Sequence, residues 1–244
     1  MDYSKLIEKK QKLDAVKSKI NRISLSSFEK EFELTFIHNS TAIEGNTLTL
    51  LETKVVLEDG ISVGGKAIRE IYEVVNHKKA YRYVKKCIAE NKRLDENTVK
   101  DIHEILTENI MNGGIYRSVD VRISGASFTP PSGMVMFDRI KAFFADLKAK
   151  QEKVFNAVEL AAWAHAELVS IHPFSDGNGR TCRLVMNYIL MYNGFLPVSV
   201  DKSNRLEYYK ALEEYAVNGN IDAFSDFIAE LEEKRLDEYI GLTE

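Results

Sequence analysis

The sequence predicts an all-α fold, a helical bundle interrupted by one small β-hairpin flap. Only four prolines occur in 244 residues, and three of them lie at two places, so most of the chain has no helix breaker. Apolar residues recur at spacings of three and four along nearly the whole chain, which is the spacing of one helical face. Residues 113–136 depart from this spacing, so the flap is expected there.

Three helices are predicted before residue 60. Their expected bounds are 4–23, 26–43 and 49–59. The second helix is followed by Gly45 and Asn46, residue types that commonly end a helix in the left-handed conformation. Thr49 and Glu52 have the spacing of a capping box, which starts the short third helix.

Longer helices are predicted on both sides of the flap. Gly64 and Gly65 precede a helix to about residue 92, and Asp95 is expected to cap the next one, to about residue 111. After the flap, helices are expected over residues 137–150, 156–170, 178–193, 203–218 and 221–240. The flap is predicted from apolar residues at 121, 123 and 128 that lie between glycines and the Pro130–Pro131 pair.

Charge and cysteine content narrow the class of protein. A formal net charge of -4 argues against a general binder of nucleic acid or of anionic membranes, which is normally basic. Cys87 and Cys182 lie far apart in predicted helices, so neither a disulfide framework nor a zinc site is expected. No secretory signal follows the first residues, and no uncharged apolar run is long enough to cross a bilayer. We therefore expect a cytoplasmic protein without membrane attachment.

Residues 172–183 have the pattern of an anion site. Glycine at 177 and 179 allows the unusual backbone dihedrals that turn successive N–H groups toward one point. The helix expected to begin at Asn178 adds the positive end of its dipole. Arg180 and Arg183 stand three residues apart and share a helical face, where two guanidiniums suit a polyphosphate.

Two further side chains extend this site from binding to chemistry. Asp176 would repel a bare phosphate chain, but it suits a nucleotide that carries Mg²⁺, since Mg²⁺ takes one or two carboxylates plus phosphate oxygens. His172 is suited to proton transfer near neutral pH. A base beside a phosphate site indicates phosphoryl or nucleotidyl transfer to a hydroxyl. Each feature alone is weak, because a lone histidine is more often structural, so the hypothesis rests on their combination in one short segment.

The combined pattern resembles a known family. Residues 172–183, His-Pro-Phe-Ser-Asp-Gly-Asn-Gly-Arg-Thr-Cys-Arg, resemble the complete signature of Fic-domain proteins. Residues 114–117 and 121–125 look like the family's lead-in and flap. Residues 40–46, Ser-Thr-Ala-Ile-Glu-Gly-Asn, resemble the inhibitory motif of the subclass with an N-terminal inhibitory helix. The resemblance implies a Fic-type bundle with a regulatory region over residues 1–60 and a catalytic domain over residues 61–244.

The resemblance implies transfer of AMP from ATP to a Ser, Thr or Tyr hydroxyl of a target protein, which could be the protein itself. It implies that His172 deprotonates the hydroxyl and that Asp176 holds Mg²⁺. The residues implied in binding phosphate oxygens are Gly177, Asn178, Gly179, Arg180 and Arg183. The flap residues implied in pairing with the target backbone are Val121, Arg122, Ile123, Ser124 and Gly125.

Three residues further along resemble the family's adenine site. Tyr208 and Tyr209 match a tyrosine pair near the adenine, with a place in the helix core as the alternative. Asn218 matches a nearby asparagine, with one residue of difference in length.

The resemblance also implies autoinhibition through the motif that contains Ser40 and Glu44. A carboxylate at the C-terminal end of its own helix is placed poorly for that helix's dipole, so a partner elsewhere is expected. The hypothesis is that Glu44 pairs with Arg183 at the position of the γ-phosphate, which leaves ATP misaligned. A charge-assisted hydrogen bond contributes about 1.5–3 kcal/mol, enough for a bias of about tenfold or more.

The sequence leaves other functions open. Glu44 could instead orient water and remove AMP from a modified protein, as some Fic proteins of this subclass do. Fic relatives can also transfer phosphate, UMP or phosphocholine, although the intact Gly-Asn-Gly-Arg-x-x-Arg run favours ATP and AMP. The non-enzyme alternative is a nucleotide-sensing interaction module, and the retained His172 argues against it. Apolar faces of the N-terminal helices could pack on the core or on a second chain, so a homodimer is open too.

Overall fold

The computed structural model describes residues 3–153 and 156–243. Over these ranges the chain forms ten α-helices and no β-strand. The helices are α1 (Ser4–Val16), α2 (Arg22–Ile43), α3 (Leu50–Lys54), α4 (Ile68–Ala89), α5 (Glu96–Thr107), α6 (Gly133–Glu152), α7 (Ala157–Ile171), α8 (Asn178–Tyr192), α9 (Arg205–Asn218) and α10 (Asp222–Gly241). The all-α prediction is confirmed.

Helices α7 and α8 form the centre of the molecule. The short loop 172–177 joins them, so they pack as a helical hairpin. Helices α4 and α5 pack against α8, whereas α6, α9 and α10 pack against α7. The fully buried Ile171 and Leu184 lie on the two sides of the loop, so the loop is anchored in the core at both ends.

The first predicted helix is divided in the structure. α1 ends at Val16, a 3-10 turn covers Lys17–Lys19, and α2 begins at Arg22. Asn21 caps α2: its ψ of 128° is extended, and its side chain accepts a hydrogen bond from the N–H of Ile23 at 2.8 Å. The prediction missed this break because residues 4–23 contain neither glycine nor proline, and one asparagine sets the new helix start.

The predicted helix over residues 49–59 is present but changes its winding. Its capping box is formed, with Glu52 N–H donating to Thr49 Oγ1 at 3.1 Å and Thr49 N–H donating to Glu52 Oε2 at 2.7 Å. The second half, Val55–Asp59, is a π-helical turn.

The segment expected to form a β-hairpin is a loop with one turn. Ala126 N–H donates to the Ile123 carbonyl at 3.2 Å, and Ser127 N–H donates to Glu213 Oε1 on α9 at 2.8 Å. The hairpin predicted within residues 113–136, the segment that contains Val121–Gly125, is therefore corrected to a loop tethered to a helix. The apolar residues that suggested strands have no partner strand in the described part of the chain, and Pro130–Pro131 lacks the N–H groups that a ladder requires.

The N-terminal helices belong to the same hydrophobic core as the rest of the bundle. Leu6 and Leu13 of α1 and Phe36 of α2 lie in one cluster with the residues of α7 and α8. Lys9 of α1 donates to Glu233 at 2.7 Å and to Asp237 at 2.6 Å, both on α10. None of the helices in the described ranges is long and apolar enough to cross a membrane.

Candidate active site

The loop that joins α7 to α8 is held between two left-handed residues. His172 ends α7 with φ 52° and ψ 58°, and Gly177 starts α8 with φ 75° and ψ 5°. Between them, Phe174 is fully buried and stacks on His103 of α5, with ring centroids 3.7 Å apart. The loop is therefore fixed at its ends by backbone conformation and in its middle by an aromatic anchor.

His172 is oriented as a neutral base. Its Nδ1 lies 3.2 Å from the carbonyl oxygen of Val169, and a carbonyl can only accept, so Nδ1 carries the proton and Nε2 keeps a lone pair. Burial is the main cause that lowers the pKa of His172 below 6.5, and Arg117 adds to it. The Val169 carbonyl and the negative charges of Glu44 and Asp176 oppose this shift. The imidazole is consequently neutral at pH 7.

Asn178 and Gly179 have different local tasks. The side chain of Asn178 donates to the Phe174 carbonyl at 2.8 Å and accepts from the Phe174 N–H at 2.9 Å, so it braces the loop from within. Its backbone N–H lies in the first turn of α8, where helix geometry provides no acceptor. A Cβ on Gly179 would collide with Glu44 Oε1 and lie 3.2 Å from Arg183 Nη1. Glycine at 179 therefore admits the Glu44 carboxylate.

Arg180 is buried with unused hydrogen-bonding capacity. Arg180 is 2% exposed, and its Nε and Nη1 have no hydrogen-bond partner among the described residues. The nearest carboxylate oxygens are Glu73 Oε1 at 3.8 Å from Nη1 and Asp176 Oδ1 at 3.9 Å from Nη2. A buried guanidinium with free donors is an anion-binding group, because leaving such donors unpaired is costly.

Arg183 uses its donors on the chain itself. Nη2 donates to the Ser40 carbonyl at 2.7 Å and to Glu44 Oε1 at 2.9 Å, and Nε donates to Ser40 Oγ at 2.9 Å. Nη1 donates to the Tyr208 hydroxyl at 3.2 Å. Burial opposes its charge, but Tyr208 and Glu44 outweigh burial and raise the pKa of Arg183 above its ordinary value. The structure thus joins Ser40, Glu44 and Arg183, three residues predicted to act together.

His77 of α4 completes this arrangement and was not predicted as a site residue. It is fully buried, and its Nε2 lies 2.8 Å from Ser40 Oγ. Burial, with the nearby charges of Arg183 and Arg180, lowers the pKa of His77 to about 3. The neutral ring accepts the Ser40 hydroxyl proton, which leaves the Ser40 oxygen free to accept from Arg183.

The two tyrosines predicted beside the adenine have different surroundings in the structure. Tyr208 is buried, and its hydroxyl lies 3.0 Å from His165 Nε2 and accepts from Arg183, so it supports the arginine from the core. Tyr209 is 39% exposed, and its hydroxyl donates to the carbonyl of Ile43 at 3.4 Å. Asn218 is exposed at the end of α9, and its side chain makes no hydrogen bond to the described residues. The structure brings the first two together with the site, but not Asn218.

Two buried side chains support the loop from outside and were also missed. His103 accepts from the Gly114 N–H at 2.9 Å with Nδ1, and its Nε2 donates to the Asp176 carbonyl at 2.9 Å. Arg117 donates from Nε to the His172 carbonyl at 2.8 Å and from Nη2 to the Pro131 carbonyl at 2.6 Å. The sequence marks Arg117 only as part of the lead-in segment 114–117, and it assigns no role to His103.

Asp176 is engaged on both of its oxygens. Oδ1 accepts from the Gly177 N–H at 2.6 Å, and Oδ2 is paired with Arg69 of α4. Burial raises the pKa of Asp176, but the Gly177 N–H, Arg180 and Arg69 together outweigh burial and hold it below its usual range. The side chain remains 41% exposed, so this ionised carboxylate is accessible from solvent.

Known proteins are similar to this chain in sequence and in fold. The Fic/DOC family model matches residues 93–190. The chain is 38% identical over 249 aligned residues to Protein adenylyltransferase Fic of Aedes aegypti, and 36% identical over 244 residues to that of Nematostella vectensis. These alignments include 100% and 98% of this chain and 49% and 56% of the relatives. The chain therefore spans about half the length of the curated relatives it matches.

Solved structures of Fic proteins are similar to this chain in fold. Fic-1 of C. elegans (residues 134–508) superposes with a TM-score of 0.84 at 30% identity, over 99% of this chain and 72% of that chain. A Fic domain containing signaling protein from Bacteroides thetaiotaomicron superposes with a TM-score of 0.90 at 23% identity, over 98% and 97% of the two chains. The second likeness concerns the fold alone.

Proposed function

Because the chain belongs to the Fic/DOC family, we propose that it is a protein adenylyltransferase whose own Glu44 keeps its resting activity low. It transfers AMP from ATP to a Ser, Thr or Tyr hydroxyl of a protein target, with its own chain among the candidates. The observation that carries this proposal is a neutral histidine at the start of the loop 172–177, which leads directly into the helix that carries two buried arginines. A base suits chemistry, whereas nucleotide sensing alone needs none.

His172 accepts the proton of the attacking hydroxyl on Nε2. Its Nδ1 is occupied by the Val169 carbonyl at 3.2 Å, so Nε2 is the nitrogen with the available lone pair. The hydroxyl oxygen forms a bond to the α-phosphorus of ATP as its proton moves to His172. The bond from the α-phosphorus to the oxygen that bridges to the β-phosphate breaks, and pyrophosphate leaves with that electron pair. His172 then returns its proton to solvent.

The phosphates bind where α8 begins. The first-turn N–H groups of residues 178–180 and the positive end of the helix dipole suit phosphate oxygens. The free Nε and Nη1 donors of Arg180 add a buried charge there. Arg183 contributes a second guanidinium once Glu44 leaves it. Tyr209, half-exposed beside the end of α2, is the better candidate for the adenine than the buried Tyr208.

Mg²⁺ fits the residues present. The described residues contain no cluster of three or more metal-ligating side chains, so the chain alone does not supply a closed cage. Asp176 offers one ionised, accessible carboxylate, and Mg²⁺ typically combines one or two carboxylates with phosphate oxygens and water. Asp176 would hold the ion, which supplies charge neutralisation on the α- and β-phosphates when bound.

The target docks at the loop over residues 121–125. Among the described residues, the one hydrogen bond between backbone groups of this loop closes the turn at Ile123, so the other N–H and C=O groups remain for an extended peptide. The tether from Ser127 to Glu213 fixes the loop to α9, the helix that carries Tyr209. A target held there would have its hydroxyl aligned toward His172.

Glu44 is the residue that we propose inhibits the resting protein, and we call it the brake. Its bond to Arg183 at 2.9 Å uses a donor that a γ-phosphate would need. The Glu44 side chain is 34% exposed while that of Arg183 is 1% exposed, so the carboxylate is the member of the pair that can move. We further propose that residues 1–60 are regulatory and that residues 61–244 are catalytic. The expected compartment is the cytoplasm. Assembly into a homodimer is a further possibility.

The test is incorporation of labelled AMP from ATP, with wild type, Glu44→Gly and Glu44→Gly combined with His172→Asn. Glu44→Gly should raise incorporation at least about tenfold, since one charge-assisted bond worth about 1.5–3 kcal/mol is lost. Asparagine is used at 172 because it tolerates the left-handed backbone better than alanine. The double variant should bind ATP and transfer nothing. Unchanged incorporation in Glu44→Gly would contradict the brake, and transfer without His172 would contradict the mechanism.

The same variants distinguish the second candidate activity, removal of AMP. Glu44 Oε1 accepts from Arg183, and Oε2 makes no hydrogen bond to the described residues, so it could hold a water molecule. If Glu44 is the hydrolytic residue, wild type should release AMP from a target modified beforehand and Glu44→Gly should not. Release by both variants would exclude that role for Glu44.

A further inference from the structure

A third arginine stands at the phosphate site. Arg69 is the second residue of α4, and its Nη2 is bonded to Asp176 Oδ2, 107 residues away in sequence. Its Nε donates to Glu73 Oε1 at 3.1 Å. A cation in the first turn of a helix opposes the helix dipole. The placement of Arg69 is therefore explained by its two carboxylate partners and not by the helix.

Arg69 occupies the oxygen that a divalent cation needs. Of the two Asp176 oxygens, Oδ1 accepts from Gly177 N–H at 2.6 Å and Oδ2 from Arg69. Mg²⁺ binds carboxylate oxygen at about 2.0–2.1 Å in strict octahedral geometry. Its double positive charge repels a guanidinium on the same oxygen. The ion and Arg69 consequently compete for Asp176 Oδ2.

We propose that Arg69 gates the cation site: it holds Asp176 in the resting protein and leaves when the nucleotide brings its divalent cation. This inference rests on the proposed function, since it assumes the same metal ligand. The Arg69 side chain is 55% exposed and that of Asp176 is 41% exposed, so the exchange takes place at the surface without opening the core. The hydrogen bond from Arg69 Nε to Glu73 can persist while Nη2 leaves Asp176, so the guanidinium keeps one carboxylate partner.

Glu73 connects this gate to the rest of the site. Its Oε1 lies 3.8 Å from Arg180 Nη1, and its Oε2 accepts from Asn46 Nδ2 at 2.9 Å, two residues after Glu44. The Glu73 side chain is 11% exposed, so these charges act through a partly dry environment. A shift of Arg69 toward Glu73 therefore changes the charge that Arg180 faces, which links cation entry to the phosphate site.

The test is a Mn²⁺ titration followed by electron paramagnetic resonance, with saturating α,β-methylene-ATP, which cannot release pyrophosphate. Mn²⁺ serves as the probe because carboxylate and phosphate oxygens accept it as they accept Mg²⁺. Arg69→Ala should tighten nucleotide-dependent Mn²⁺ binding by about three- to fivefold, the effect of one exposed ion pair. Arg69→Lys should fall between. Arg82→Ala, an exposed arginine of the same helix, is the matched control and should leave the affinity unchanged.

The outcomes separate the gate from the proposed function. Loss of Mn²⁺ binding in Asp176→Asn, with equal affinity in wild type and Arg69→Ala, would overturn the gate and leave the adenylyltransferase site intact. Absence of nucleotide-dependent Mn²⁺ binding in both wild type and Arg69→Ala would overturn the site assignment and the gate together. Tightening in Arg69→Ala without tightening in Arg82→Ala supports the gate.

Discussion

Among single residues, His172 is the most constrained. It ends α7 in the left-handed region at φ 52°, which few residues other than glycine adopt. This backbone conformation brings Nδ1 to the Val169 carbonyl at 3.2 Å. One strained residue thus ends a helix, starts the proposed phosphate loop and selects the tautomer of the proposed base. Strain of this kind persists only where the surrounding structure determines it, as Arg117 and Phe174 do here.

The pKa of His172 is expected to lie below 6.5, because burial disfavours the charged imidazolium more than Glu44 and Asp176 favour it. The neutral form is the active base, so a lowered pKa keeps it active to lower pH. Glu44→Gly removes a charge that raises the pKa, so the midpoint should fall further. The measurement is an NMR titration of the imidazole nitrogens, with His172→Asn to identify the resonance. A midpoint above 7, or an upward shift in Glu44→Gly, would contradict this electrostatic account.

Among the elements, the turn after α2 determines where Glu44 lies. Asn46 is 4% exposed and donates to the Glu70 carbonyl at 3.0 Å and to Glu73 Oε2 at 2.9 Å. It also accepts from the Leu48 N–H at 3.1 Å. The turn that follows Glu44 is therefore hydrogen-bonded to α4 through the buried side-chain amide of Asn46.

Asn46→Ala should loosen this turn. Removal of the amide leaves buried partners unsatisfied, which costs about 1–3 kcal/mol of folding free energy. AMP incorporation should rise, but less than in Glu44→Gly, because the carboxylate is still present. Urea unfolding and labelled AMP incorporation are measured together, with the exposed Asn97→Ala as control. Lower stability with wild-type incorporation would show that the turn supports the fold without positioning Glu44.

Most elements were predictable because helix periodicity is local. The start of α8 follows directly from the glycine pattern, and the capping box of α3 from Thr49 and Glu52. The break before Asn21 was not predicted, since a single capping residue decides it. The prediction of a hairpin was wrong for another reason. Alternating apolar residues at 121 and 123 fit a strand, but a strand requires a partner elsewhere in the chain.

The site was predictable to the extent that it lies in one segment. Residues 172–183 carry base, cradle and arginines in sequence order, so their proximity follows from the loop and one helical turn. The partners on α4 do not share that property, because Arg69, Glu73 and His77 reach the site only when α4 packs against α8. Their helical spacing is compatible with an ordinary solvated or buried face. Long-range packing is the information that a local pattern lacks.

For the whole molecule, the N-terminal helices are part of one core. Leu13 of α1 is 6% exposed and belongs to the cluster that contains α7 and α8 residues. Leu13→Ala should therefore lower the free energy of unfolding by about 2–5 kcal/mol, the usual cost of a buried cavity. Chemical denaturation should show one transition for the whole chain.

The matched control is Ile7→Ala, on the same helix but 44% exposed, which should have a much smaller effect. Two separate transitions in Leu13→Ala would instead indicate that the N-terminal region folds independently of the catalytic part. Equal effects of the two substitutions would contradict the packing of α1 on α10.

The bond between Glu44 and Arg183 joins two residues 139 positions apart in a single polypeptide. An inhibitor carried in the same chain has an effective concentration set by geometry, which dilution does not change. Each molecule therefore meets the proposed brake at the same local concentration whether the cell holds few copies or many. If Glu44 inhibits as proposed, resting turnover per molecule is independent of expression level, and a signal has to act on the conformation of the chain and not on the supply of a separate inhibitor.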